Sequence, residues 1–224
     1  PIFHQLIVAQ KKIDPPVCIL NIGGISNITI INKSNGYENI FSKDIGPGNC
    51  LIDGWVRKHS DKKYDFEGNL AMSGEKNEII FEQAQELYAN RLNKKKRSFD
   101  IGDFDISFAR GLSLNDGART LTDFTASILG EELSENIFEQ NKNIKDIILC
   151  GGGRKNKFLI NKINKYLNSF FRIKEIDEYK IDGDFIESQA FGFLAIRSFR
   201  KLPLTFPNTT GCHNPSLGGK LISN

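Results

Sequence analysis

Apolar and polar positions along the chain fall into short blocks with different periods. Val17–Ile22 is an apolar run closed by Gly23-Gly24, and a stretch rich in β-branched residues, 27–32, follows it. Together they predict two antiparallel strands joined by a tight glycine turn. Ser34-Asn35-Gly36 marks another turn, and residues 37–42 read as a third strand. Residues 44–49 (DIGPGN) are a loop by composition. Leu51, Ile52, Trp55 and Val56 then recur at helical spacing, from a start near Asn49. Residues 61–77 are polar and glycine-bearing, a loop. Over 76–92, Ile79, Ile80, Phe81, Ala84, Leu87 and Tyr88 predict an amphipathic helix. After a loop over 98–113, Asn115-Asp116 reads as the N-cap of a long helix carrying Ala118, Leu121, Phe124, Ile128 and Leu129. Residues 145–150 are a buried-strand signal that runs directly into Gly151-Gly152-Gly153. A helix over 156–167, a strand over 171–176 and a helix over 185–202 follow. The last helix has Ala190, Phe191, Leu194, Ala195 and Phe199 as its expected inner face. The tail is rich in Pro, Gly, Thr and Asn and reads as irregular.

A β-meander followed by alternating helices and strands is an α/β layered domain. Composition narrows the function classes. The 224 residues carry 30 Lys and Arg against 27 Asp and Glu, a net charge of +3. That balance is too even to argue for nucleic acid or a membrane surface. With 39% hydrophobic and 25% charged residues the chain is too apolar for disorder. There is no basic-then-apolar leader and no run of about 18 apolar residues. The four cysteines, Cys18, Cys50, Cys150 and Cys212, form no CxxC pair, which excludes zinc-ribbon and thioredoxin readings and fits a reduced, cytoplasmic setting. Nothing near Cys212-His213 completes a metal site, so no metal ligands are assigned. GxSxG, HExxH and a P-loop are all missing, which removes support for hydrolase triads, zinc proteases and Walker-type ATPases.

Four segments can carry chemistry. Asn21 to Asn27 holds Gly23 and Gly24, where backbone can approach a phosphate; a plain hairpin turn is the simpler alternative. In Asp44-Ile45-Gly46-Pro47-Gly48-Asn49, a carboxylate precedes a Gly-Pro-Gly loop and a helix start, a natural anion site. Asp44 there can take a proton from a hydroxyl or water, or it can simply cap the turn. Asp53, further along, reads as structural or as a support behind the site. Gly151, Gly152 and Gly153 after a strand can let a flat ring or a phosphate lie on backbone. Glu187 stands in the first turn of a helix, either as dipole electrostatics or as an acceptor for a substrate hydroxyl. The basic run Lys94–Arg97 reads as a solvated helix end. Three glycine turns after three strand candidates point to a nucleotide held between loops.

Six segments in order, LNIGGISN, DIGPGNCLIDGW, GLSLNDGARTLTDFTA, LCGGGRKN, GDFIESQAFGFLAIR and LPLTFPNTTG, resemble the anhydro-N-acetylmuramic acid kinase family. The resemblance implies one lobe of an actin-like, ribonuclease-H-like ATPase. It also implies cleavage of the anhydro ring by water and transfer of phosphate from ATP, with Mg²⁺, to give N-acetylmuramic acid 6-phosphate. By the same resemblance Asp44 is the catalytic base. Asn21, Gly23, Gly24, Gly46, Gly48 and Asn49 belong to the phosphate side, and Gly151, Gly152 and Gly153 to the adenosine side. Glu187 lies near the sugar. Many members of the wider superfamily have Asp at the position of Asn21. Segments before LNIGGISN that would form a first lobe are not in this sequence, which starts at Pro1. The implied organisation is residues 1–16 as an inter-lobe segment, 17–202 as the C-terminal kinase lobe and 203–224 as a tail. The partners implied are the sugar and either a first lobe or a second copy. The alternatives are a non-catalytic remnant or nucleotide-binding module, and another actin-like ATPase.

Overall fold

The computed structural model describes residues 1–91, 98–167, 170–220 and 222. The basic run Lys94–Arg97 lies outside them. The elements are α1 (Ile2–Gln10), β1 (Val17–Ile22), β2 (Ile25–Ile31), β3 (Ile40–Pro47), α2 (Cys50–His59), α3 (Asn69–Met72), α4 (Glu78–Arg91), α5 (Leu114–Asn141), β4 (Asp146–Cys150), α6 (Lys157–Tyr166), β5 (Arg172–Glu175), α7 (Ile186–Phe199) and α8 (Pro207–Thr210). The strands form one mixed sheet in the order β3-β2-β1-β4-β5. The meander is antiparallel, while β4 joins β1 and β5 joins β4 in parallel. This is the α/β class expected.

Strand alternation divides the core into two layers. Cys18, Leu20 and Ile22 of β1 point into a cluster with Trp55, Leu121, Leu129 and Ile163, on the side covered by α2, α5 and α6. Val17 and Ile19 point the other way, with Phe3, Ile7, Ile148 and Ile186, under α1 and α7. Both faces of β1 are therefore buried, which explains its unbroken apolar run.

Several local expectations change. Residues 37–39 form a 3₁₀ turn, and β3 runs on through Asp44 to Pro47. Pairing with β2 along its whole length overrides the Gly-Pro composition, because a bulge at Ser26/Asn27 sets Asn27 opposite Asp44 and Ser26 opposite Gly46. Residues 61–77 hold a 3₁₀ turn and α3, whose first N–H groups are capped by Asp65. The cap of α5 is Ser113, whose hydroxyl accepts from the Asp116 N–H at 3.1 Å, not Asn115-Asp116. In α4, Phe81 and Ala84 are buried while Ile79 and Leu87 are exposed. The inner face of α7 is Ile186, Ala190, Phe193 and Arg197; Phe191, Ala195 and Phe199 of the expected face are exposed instead. The tail contributes α8, and Phe206 stacks on Tyr37 at 4.4 Å. Residues 1–16 carry α1, packed on the same sheet. No helix among the described residues is long and apolar enough to cross a membrane.

His4 of α1 is buried with its Nδ1 2.8 Å from the Thr29 hydroxyl. Burial pushes its pKa down to about 3. The folded chain therefore refuses a proton that the unfolded chain accepts near pH 6.5. The stability that His4 contributes is complete above that pH and drains away as pH falls toward 3. Asn keeps a hydrogen-bonding group near the Nδ1 position but does not titrate. The urea midpoint of His4→Asn should fall less steeply between pH 6.5 and 4 than that of the parent. Parallel curves would show that His4 is not the titrating group.

Candidate functional site

The three glycine turns meet at the C-terminal end of β1. Asn21 sits there, paired with Asn27 on one side and Cys150 on the other. The first turn is tied to the start of α2. The Gly48 N–H donates to the Gly24 carbonyl at 2.8 Å, the Asn49 N–H to the Gly23 carbonyl at 2.8 Å, and the Cys50 N–H to the Gly24 carbonyl at 3.2 Å. Backbone N–H groups at a helix start are the usual anion donors. Here three of them are spent on the neighbouring turn, so Gly48 and Asn49 brace that turn through their backbone.

The third turn presses on β1 from the other side. Gly151 has φ of +80°, and an added Cβ would stand 2.6 Å from both the Asn21 Oδ1 and the Ile22 carbonyl oxygen. At Gly153 it would stand 2.2 Å from the Ile22 Cγ2. Only glycine allows this approach. At Gly152 an added Cβ would meet nothing within 4 Å, so that part of the turn faces open space. The Cys150 thiol donates to the Asn21 Oδ1 at 3.6 Å. Burial holds the thiol pKa up at about 12, so it stays protonated and inert.

Asp44 lies beside the β-bulge, half-buried. Its Oδ2 accepts the Phe99 N–H at 2.8 Å. Ile101, two residues on, would come within 3.7 Å of a Cβ on Gly24. The segment that starts at Phe99 therefore reaches from the Asp44 carboxylate to the first glycine turn. Beside Asp44, Lys43 pairs with Glu132 of α5 at 3.1 Å, which fixes the strand to the long helix.

A cavity of about 520 Å³ opens between α2, the third turn and the start of α6. Its wall includes Asn49, Asp53, Tyr64, Phe66, Gly152 and Asn156. The size suits a small ligand. Its union of a glycine turn, aromatic side chains and a carboxylate fits a nucleotide better than an apolar guest. Asp53, which the sequence reads as structural or as a support behind the site, is part of this wall. Burial raises its pKa to about 6, with the Arg57 charge opposing and Asp65 reinforcing the rise. Its position was recoverable from spacing, since i and i+4 on a helix share a face and Asn49 precedes it by four.

Arg154, immediately after the third turn, is buried at 5% exposure. Its guanidinium pairs with Asp177 at 2.8 Å and Asp184 at 3.1 Å, and an added Cβ on Gly183 would fall 2.4 Å from it. Arg154 holds the Asp177 carboxyl below the usual carboxylate range, and Lys155 with Arg154 does the same at Asp184. The pair of bridges fastens the third turn to the segment that begins α7. Glu187 stands exposed in the first turn of α7, outside the cavity wall and outside the contacts around Asp44. The structure thus gathers Asn21, Gly23, Gly24, Asp44, Gly46, Gly48, Asn49 and Gly151–Gly153 around one strand end and leaves Glu187 apart. Among the described residues, no group of three or more His, Cys, Asp or Glu is placed to hold a metal ion.

Comparison with known proteins agrees with the six-segment resemblance. The model of the family "Anhydro-N-acetylmuramic acid kinase" matches residues 1–223. An anhydro-N-acetylmuramic acid kinase of Pelagibacter ubique (strain HTCC1062) is 52% identical over 225 residues, covering 100% of this chain and 60% of the relative. One of Gluconobacter oxydans is 33% identical over 226 residues, covering 99% and 60%. One of Brucella suis is 35% identical over 222 residues, covering 98% and 57%. The chain thus spans about three fifths of the length of these curated relatives. Among solved structures, an activator of the 2-hydroxyisocaproyl-CoA dehydratase from Clostridium difficile, with bound ADPNP, aligns at a TM-score of 0.47 and 12% identity, over 90% of this chain and 70% of that one. A xylulose kinase from Rhodospirillum rubrum aligns at 0.45 and 9%, over 71% and 35%. On the family match and the identities, this chain belongs to the anhydro-N-acetylmuramic acid kinase family.

Proposed function

We propose that the chain forms the nucleotide-side, base-bearing lobe of an ATP-dependent kinase. Its reaction opens the anhydro ring of anhydro-N-acetylmuramic acid and phosphorylates the sugar, in cytoplasmic cell-wall recycling. The observation that carries this reading is the convergence of three glycine turns and Asp44 on the end of β1. In the proposed step Asp44 takes a proton from the attacking water. The water oxygen bonds to the anomeric carbon, the bridging carbon–oxygen bond breaks, and the freed 6-oxygen takes the γ-phosphoryl group as its bond to the β-phosphate oxygen breaks and ADP leaves. The Phe99 N–H aims the carboxylate by holding one of its oxygens. The turns of Gly23-Gly24 and Gly151–Gly153 flank the phosphates and adenosine, with Asn21 between them, and Glu187 reaches the sugar once the enzyme is closed. Mg²⁺ would arrive with the nucleotide and would supply charge neutralisation at its phosphates, since no carboxylate cluster among the described residues is placed to hold the ion by itself.

A second reading is favoured by α7, where Phe191, Ile196 and Phe199 are 65%, 58% and 67% exposed. An apolar helix face of this kind suits a lobe that acts only with a partner surface, either a first lobe or a second copy. Closure around substrates is how such enzymes exclude water.

The test is calorimetry of the purified chain with Mg–ATP, beside ADP release with and without the anhydro sugar. ATP binding without sugar-dependent release is the expected result for one lobe. Sugar-dependent release would mean that a complete site forms from this chain or its oligomer. Neither binding nor release would leave a non-catalytic remnant as the better reading.

A further inference from the structure

We infer that Asp53 reads the ribose of the bound nucleotide, its carboxylate accepting a hydrogen bond from a ribose hydroxyl. The inference rests on the nucleotide reading above and extends it to one side chain.

The cavity wall joins glycine turn, helix start and aromatic surface. Gly152 belongs to the third turn, which the family resemblance puts on the adenosine side, and Asn49 opens α2 beside the first turn. Tyr64 and Phe66 offer exposed aromatic surface on which a base can lie. Asp53 is one helical turn from Asn49, its N–H donating to the Asn49 carbonyl at 2.8 Å. One turn displaces it by about 6 Å along the axis from Asn49.

The other carboxylates of the wall are already committed. Asp65 accepts the N–H groups of Leu70 at 2.8 Å and Ala71 at 3.0 Å. Glu67 pairs with Lys157 at 3.1 Å. Glu175 is held in a reciprocal cap with Glu178. Among the described residues, Asp53 pairs with the Arg57 guanidinium alone, at 4.0 Å. It is the acceptor of this wall with capacity to spare. An ionised carboxylate accepts and does not donate, so it repels phosphate and selects a hydroxyl or amine donor. The hydroxyl donors of a nucleotide are those of its ribose.

The experiment is calorimetry of the purified chain with Mg–ATP, Mg–2′-deoxy-ATP and Mg–3′-deoxy-ATP at pH 8, repeated with Asp53→Asn. A hydrogen bond to a charged group predicts that at least one deoxynucleotide binds about tenfold more weakly than ATP. Asp53→Asn should bring that ratio within about threefold. Equal binding of all three by the parent chain overturns the ribose contact and leaves the nucleotide reading intact. A gap that survives in Asp53→Asn assigns the contact elsewhere and overturns the inference too. Absence of any ATP binding removes the nucleotide reading and the inference with it. The parent comparison decides the matter even if the variant fails to fold.

Discussion

Substituting Asp44 by Asn in a full-length protein that carries this segment should cut sugar-dependent ADP release by about a thousandfold, the middle of the range for a lost general base. The exchange keeps the volume of the side chain and an oxygen able to accept the Phe99 N–H that now bonds Oδ2 at 2.8 Å. Strand β3, its bulge and the three turns have no reason to move. What disappears is the capacity to take a proton from water. Affinity for the anhydro sugar should therefore stay near that of the parent while turnover collapses. Steady-state ADP release and sugar titration measure the two separately. Turnover preserved with normal sugar binding would end the assignment of Asp44 as base. A parallel loss of sugar binding would recast it as a substrate-holding group.

The second large effect concerns packing between backbones. In Gly48→Ala the new Cβ would lie 2.2 Å from the Gly23 carbonyl oxygen, 3.0 Å from the Ser26 hydroxyl and 3.1 Å from the Gly23 carbonyl carbon. Side chains can swing away from an intruding methyl group, but here the closest neighbour is a carbonyl already fixed by the Asn49 N–H. Overpacking of this kind costs about 3 kcal/mol, the upper part of its usual span. The urea midpoint should drop with an unchanged slope. Gly54→Ala is the contrast, because six residues later an added Cβ meets nothing within 4 Å. In a helix interior that exchange should stabilise by about 0.5–1 kcal/mol. If Gly48→Ala shifted stability no more than Gly54→Ala does, the two turns would not be pressed together as described.

Where apolar period and local turn chemistry point the same way, the chain is readable without coordinates. The apolar run of β1, the glycine turn after it and the strand before Gly151 are such places. So is α6, whose Asn156 cap accepts from the Leu159 N–H at 3.0 Å. Reading fails where a distant partner decides. Residues 44–47 look like a loop because Gly and Pro disfavour strands, yet twenty residues of separation still let β2 pair with them and absorb one residue as a bulge. The face of α7 is not legible from sequence because Phe191 and Phe199 are as apolar as Phe193, and only packing against Phe3 at 5.8 Å between ring centroids marks which one turns inward. The candidate site divides in the same way. Asp44 and the glycine turns are visible as motifs. That the backbone donors of Gly48 and Asn49 are consumed by the first turn, and that Arg154 is clamped by Asp177 and Asp184, depends on tertiary contacts that no spacing rule encodes.

The parallel pairing of β1 with β4 has a bearing on how the chain comes together. β1, β2 and β3 are joined by short links, so the piece of the site that holds Asn21, Gly23, Gly24 and Asp44 is local along the chain. Gly151–Gly153 reach it only when Cys18 finds Ile147 across the whole helical excursion from α2 to α5. Closing a loop costs entropy that grows with the logarithm of its length, and contacts of long separation are the ones that slow a search for the fold. By the same logarithm, lengthening that excursion adds little further cost. The helical insert between the two halves of the site is thus the stretch where an evolving or engineered chain can gain residues most cheaply.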